Sequence, residues 1–197
     1  GRDVAKGIPS AWEIFDEPRN ILNVVNNGLK SKFDLTKYKK VFQFYYAHLT
    51  DRWKLIDENA HNMLLDVIRE KKFDFCFTVF PAVDEYAHQT SPFHDRVRLA
   101  YHEYDKHLGH IIKELKEQGI YDETLLMIFS DHGHSDTSKH FDVGPWLESE
   151  KNYKTFYYSN IFKFKFDAVS MVSGNGMTHL YFKNDEGWEK RTTFEEI

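Results

Sequence analysis

Two short apolar runs, Phe73 to Phe80 and Leu125 to Phe129, bracket a stretch with helical periodicity. Nearly unbroken apolar runs of this kind read as strands covered on both faces, because a half-exposed strand would alternate. Between them Ser91-Pro92 offers an N-cap and first-turn pair. Val97, Tyr101, Tyr104, Leu108, Ile111 and Leu115 then step by three and four, the stripe of a helix of about six turns. Lys113 and Lys116 sit in its last turn, and Gly119 is placed to close it with a left-handed residue. A strand, a helix and a strand in that order predict a right-handed parallel crossover, hence an α/β fold. In such sheets ligands bind beyond the carboxyl ends of the strands.

The residues at those two ends carry chemistry. The first run leads into Pro81-Ala82-Val83-Asp84-Glu85-Tyr86-Ala87-His88, where Asp84 and His88 are four apart and share a helical face. The second, Thr124 to Ser130, leads into Asp131-His132-Gly133-His134. Carboxylate and imidazole are ligands that Zn²⁺ accepts. Either pair alone reads as a cap or a decorated loop; two pairs at successive strand ends predict a two-metal site. His134 has two readings, a donor that orients a ligand carboxylate or a solvated loop residue, and is left out of the ligand set.

With Phe80-Pro81-Ala82-Val83-Asp84, His88 and Ser130-Asp131-His132-Gly133 in this order, the chain resembles the alkaline phosphatase superfamily. Within it the resemblance is to the type I phosphodiesterase/nucleotide pyrophosphatase branch, from about residue 56 to about residue 182. The resemblance implies an alkaline-phosphatase-like three-layer α/β/α fold with a mainly parallel sheet, residues 1–197 forming a partial catalytic domain. It implies two divalent metal ions, zinc first. One takes Asp84, His88 and a distant His, for which His179 is favoured over His140; the other takes Asp131 and His132. Their role would be hydrolysis of a small-molecule phosphate ester through a Ser/Thr nucleophile and a phospho-enzyme intermediate. The alternatives are a sulfatase or a phosphoglycerate-mutase-like member of the same superfamily, or a non-catalytic metal-stabilised binding domain. A soluble periplasmic or secreted location also follows from the resemblance alone.

No nucleophile is legible. Asp34-Leu35-Thr36 and Ser10 lack the strand end and elbow that such a residue needs, and Cys76 lies inside a strand rather than in a sulfatase-like Cys-x-Pro-x-Arg context. The expectation is therefore that the nucleophile and the first Asp ligand precede residue 1. Thr193-Phe194-Glu195-Glu196-Ile197 reads as an interrupted helix start, so both ends are expected to be cut.

Elsewhere the chain is less informative. A net charge of −5 and a pI near 6.1 give no basic face for nucleic acid. No apolar run approaches a membrane span, and no signal peptide opens the chain. A single cysteine excludes an intrachain disulfide, and the flanking Phe75 and Phe77 make Cys76 a buried structural thiol. Ile56, Ala60, Met63, Leu64, Val67 and Ile68 predict a second helix. Residues 37–49 read as helix or strand, and Ile21 to Val25 as a short helix ending at Gly28. Phe162 to Phe166 alternates as a half-exposed strand, and Val169–Val172 and Met177–Phe182 flank a hairpin turn. His94, His102, His107 and His110 fall largely off the apolar stripe and are expected in solvent.

Overall fold

The computed structural model describes residues 7–157, 165–172, 176–185, 187, 188 and 193. The chain divides into two compact units, one running to Asp136 and one beginning at Thr137.

The first unit is a small parallel strand pair packed by helices. The strands are β1 (Pro18–Ile21) and β2 (Phe75–Thr78), with Asn20 opposite Phe77 and Ile21 opposite Thr78. The helices are α1 (Ala11–Ile14), α2 (Lys39–Thr50), α3 (Trp53–Glu70), α4 (Ala82–Gln89) and α5 (Asp95–Glu117). The α/β class is thus as expected, and so are α3, β2 and α5. Ile21 is an exception: it ends a strand, and Leu22 follows with φ 63°, so the helix expected at 21–25 is absent. The aromatic-rich 37–49 stretch resolves as helix.

The core follows from the α3 and α5 stripes. Trp53, Ile56, Ala60, Val67 and Ile68 of α3 are buried, as are Val97, Ala100, Ile111 and Leu115 of α5. Trp53 is fully enclosed and meets Phe44 and His48 edge-on at 5.6 and 4.8 Å between ring centroids. Burying aromatic rings in this way supplies a large share of the driving force for a unit this small. On α5 the buried line runs through Ala100 and His107, so Tyr101 is exposed and His107 is not the solvated residue the sequence implies. Gly119 closes α5 with φ +70°, the left-handed conformation that glycine adopts without cost. Its N-cap is His94, whose ring accepts from the Arg96 amide, rather than Ser91.

One expected element is missing. Residues 124–130 form no strand, and no sheet of the described residues includes them. Leu125, Met127, Ile128 and Phe129 lie largely in solvent, although Phe129 meets Phe77 of β2 edge-on at 5.7 Å. The physical reason is that a strand is stable only with a hydrogen-bonding neighbour, and none of the described residues supplies one. The parallel crossover and the three-layer arrangement therefore do not form among the described residues.

The second unit contains α6 (Val143–Lys151) and the strands β3 (Thr155–Phe156), β4 (Ala168–Val172) and β5 (Thr178–Phe182). β3 pairs parallel with β4, and β4 antiparallel with β5, Ser170 facing Leu180 and Met171 facing His179. The two arms of the expected hairpin are thus present. Its turn at 173–175 lies outside the described residues, as does most of the alternating stretch at 162–166.

Candidate metal centre

α4 is placed from below. Helix starts leave backbone amides without partners; at the start of α4 the Ala82 amide donates to Oδ1 of Asp57, on α3, at 3.2 Å. Asp57 is only 4% exposed, and burial pushes its carboxyl up to about 7. A mainly buried carboxyl thus seats the helix that carries Asp84 in its first turn and His88 in its last.

The Ser130–Asp136 segment then lies over the α4 face. Ser91 Oγ donates to Asp136 at 2.7 Å, and Ser130 Oγ donates to the His132 carbonyl at 2.5 Å. Three imidazoles meet one carboxylate as a result. Oδ1 of Asp84 lies 2.8 Å from His134 Nε2, 3.5 Å from His88 Nε2 and 3.6 Å from His132 Nε2. The His88 and His134 rings meet edge-on at 4.4 Å, and those of His132 and His134 at 5.0 Å. One donor atom from each of the four residues falls within 4.8 Å of every other. Tetrahedral zinc with bonds of about 2.0–2.1 Å needs donors roughly 3.3 Å apart, so small side-chain rotations suffice. Nδ1 of His132 lies 3.2 Å from the Gly133 carbonyl. A proton on that nitrogen leaves the Nε2 lone pair facing Asp84.

The sequence-predicted residues fare differently. Asp84, His88 and His132 converge. Asp131 stands beside them, its Oδ2 3.9 Å from His132 Nε2 and its Oδ1 accepting from the His132 amide at 3.1 Å, but its side chain is 86% exposed. His179, on β5, and His140 belong to the second unit and are both exposed. His134 joins the cluster although sequence reasoning omitted it. A usable signal existed, because in extended backbone residues two apart face the same side, which aligns His134 with His132. Glu85 borders the cluster; burial raises its carboxyl pKa and Asp84 adds to that, while His48 and His88 oppose it.

The electrostatics suit a cation. Three imidazoles and a carboxylate form a donor set for a borderline divalent ion, and the hard and soft extremes fit less well. Cys76, the sole thiol, is elsewhere on β2, and burial pushes it up to about 11, so it is neither ligand nor nucleophile here.

Comparison with known proteins yields one match. The family described as type I phosphodiesterase / nucleotide pyrophosphatase matches residues 13–195. No curated protein and no solved structure matches the chain.

Proposed function

Because the chain belongs to the type I phosphodiesterase / nucleotide pyrophosphatase family, we propose that its Asp84–His88–His132–His134 centre is the metal-binding part of a site that hydrolyses small phosphate esters. The family is one of phosphoric ester hydrolases and is typically metal-dependent. The observation that supports this reading most is the meeting of three imidazoles on the Asp84 carboxylate, at the ends of the two segments expected to carry ligands.

We assign two divalent ions, zinc first, with Asp84 and His88 serving one and Asp131 and His132 the other. Divalent ions bound there would polarise the phosphoryl oxygens and favour the charge of the attacking and leaving oxygens. The chain's own part is to hold and orient. With its proton kept on Nδ1 and donated in a hydrogen bond to the Gly133 carbonyl, His132 offers Nε2 to the ion. His134 keeps the Asp84 carboxylate aimed across the site. Asp131 brings an exposed second carboxylate to its rim. Two dications against two carboxylates leave a net positive site, which attracts an anionic ester. The attacking group in this reading is a Ser or Thr hydroxyl from outside the 197 residues. The alkaline-phosphatase-like three-layer fold belongs to the same proposal.

The test is turnover of bis-p-nitrophenyl phosphate, p-nitrophenyl phosphate and p-nitrophenyl sulfate by the full-length protein with added zinc. Phosphate-ester turnover that falls at least a hundredfold in Asp84→Asn and in His132→Ala is the expected result. Turnover of the sulfate ester alone would make the protein a sulfatase instead. Phosphate turnover unaffected by both substitutions would remove the centre from the chemistry.

A further inference from the structure

A second group of imidazoles meets between α3 and α5, apart from the Asp84 cluster. His61 comes from α3, while His107 and His110 are three apart on α5 and so share a helical face. One nitrogen from each ring falls within 4.8 Å of the other two. His61 stacks on His107 with centroids 4.3 Å apart, and its ring lies 5.4 Å from that of His110.

Burial makes this group unusual. His61 is 6% exposed and His107 is 7% exposed, whereas His110 opens to the surface. Nε2 of His61 and Nε2 of His107 are both enclosed, and neither has a hydrogen-bond partner among the described residues. An enclosed polar atom without a partner costs on the order of 1–3 kcal/mol, and two of them side by side require an explanation. Stacking accounts for the parallel rings. It accounts neither for two unpaired nitrogens nor for a third imidazole at the open side.

We propose that His61, His107 and His110 form a second transition-metal site, separate from the Asp84 centre, in which a zinc-like divalent ion clamps α3 to α5. The protonation state suits ligation. Burial, helped by His107 and His110, pulls His61 down to about 4, and burial also pulls His107 below the usual imidazole range. Both rings are therefore neutral at pH 7, and neutral imidazole is the form that ligates. Three imidazoles are a donor set that zinc, copper and nickel share, and calcium and magnesium do not fit it. With roughly 3.3 Å between donors on a tetrahedral ion, rotation about the side-chain bonds closes the present spacing. His110 is the entry side, and a fourth position stays open to water. Glu58 and Glu103 act on His107 with favourable charge, while Lys54 acts on it in the opposite sense and Arg69 opposes a cation near His61.

The experiment silences the first centre to isolate the second. Full-length protein carrying Asp84→Asn, His132→Ala and His134→Ala is freed of metal by a chelator. It is then titrated with zinc by equilibrium dialysis, and with cobalt(II) by visible absorption. The expected result is about one equivalent of metal bound, with the d–d bands of a low-coordinate nitrogen site. Adding His110→Ala, an exposed substitution that leaves the α3–α5 packing in place, is expected to weaken binding at least tenfold. Circular dichroism confirms that both variants are folded. No metal bound by the folded triple variant would overturn the proposal. So would metal bound with unchanged affinity after His110→Ala. Because activity is not read, neither outcome depends on the phosphate-ester assignment.

Discussion

Oδ1 of Asp84 is the atom on which the candidate metal centre turns, since His134, His88 and His132 all approach it. Of the three, His134 is the closest and the least exposed, its side chain at 18%. It acts either as a ligand or as the donor that aims the carboxylate, and its loss weakens the centre in both cases. His134→Ala, made on a His110→Ala background, is expected to lower zinc affinity by about 10–100-fold, as loss of such a partner does. Competition against a chromophoric chelator measures it. Asp57 makes a second residue-scale case. Its folded pKa, about 7, lies above the ordinary carboxylate value of 3.8. The folded state therefore holds its proton more tightly, so the associated stability is full below about pH 4 and is lost as pH rises to 7. Asp57→Asn keeps an oxygen for the Ala82 amide but cannot ionise. It is expected to flatten the fall in stability between pH 4 and pH 7, by roughly 2–4 kcal/mol in total for a shift of that size. Urea denaturation across that pH range reads the effect. A wild-type stability that does not fall over this window would show that Asp57 titrates normally.

The elements are joined by polar contacts as well as by their apolar stripes. At the start of α2, Lys40 Nζ lies 2.9 Å from Oδ2 of Asp34, with side-chain exposures of 11% and 7%. Burial works to raise the Asp34 carboxyl, but Lys40, the Lys37 amide and Asn26 together hold it below the usual range. Asp34 also accepts from Thr36 and so pins the turn that leads from β1 into α2. Removing one partner of a buried pair leaves a charge without compensation. Lys40→Met is expected to destabilise the protein by about 3–5 kcal/mol, and Lys40→Met with Asp34→Asn by clearly less. Chemical denaturation of the two variants checks the order. Between α3 and α5, Arg69 and Glu114 pair at 2.8 Å on the partly open side, close to the imidazole group proposed as a second site. The Asp34 network could not be read from residues 34–40 alone. The sequence there shows a charged residue near a threonine, and burial appears only when β1 and α2 close over it.

At the scale of the molecule, the apolar segment 125–129 is the anomaly, with Leu125 85% exposed. Unpaired apolar backbone of this kind recruits a partner, either a neighbouring strand or another copy. Met127→Lys is expected to reduce self-association of the 197-residue chain without lowering its stability, as read by sedimentation velocity and thermal unfolding. Its amides are expected to exchange with deuterium well before those of β2, whose carbonyls and amides pair with β1. Residue order alone settled a good deal here. Helical periodicity marked α3 and α5, the apolar run marked β2, and two short runs flanking a glycine turn marked β4 and β5, because each of these signals is local. The pairing of Asp84 with His88 was legible for a related reason, since their spacing is one helical turn, whereas His132 was read from a strand end that does not form among the described residues. Three-dimensional packing decided the rest. It chose the buried face of α5, and so moved His107 inward and Tyr101 outward. It brought His134 to Asp84 across 50 residues of sequence, and His61 to His107 across two helices. It left 125–129 without a strand partner among the described residues. Each of these depends on which surfaces meet at long range, and no periodicity along the chain encodes that.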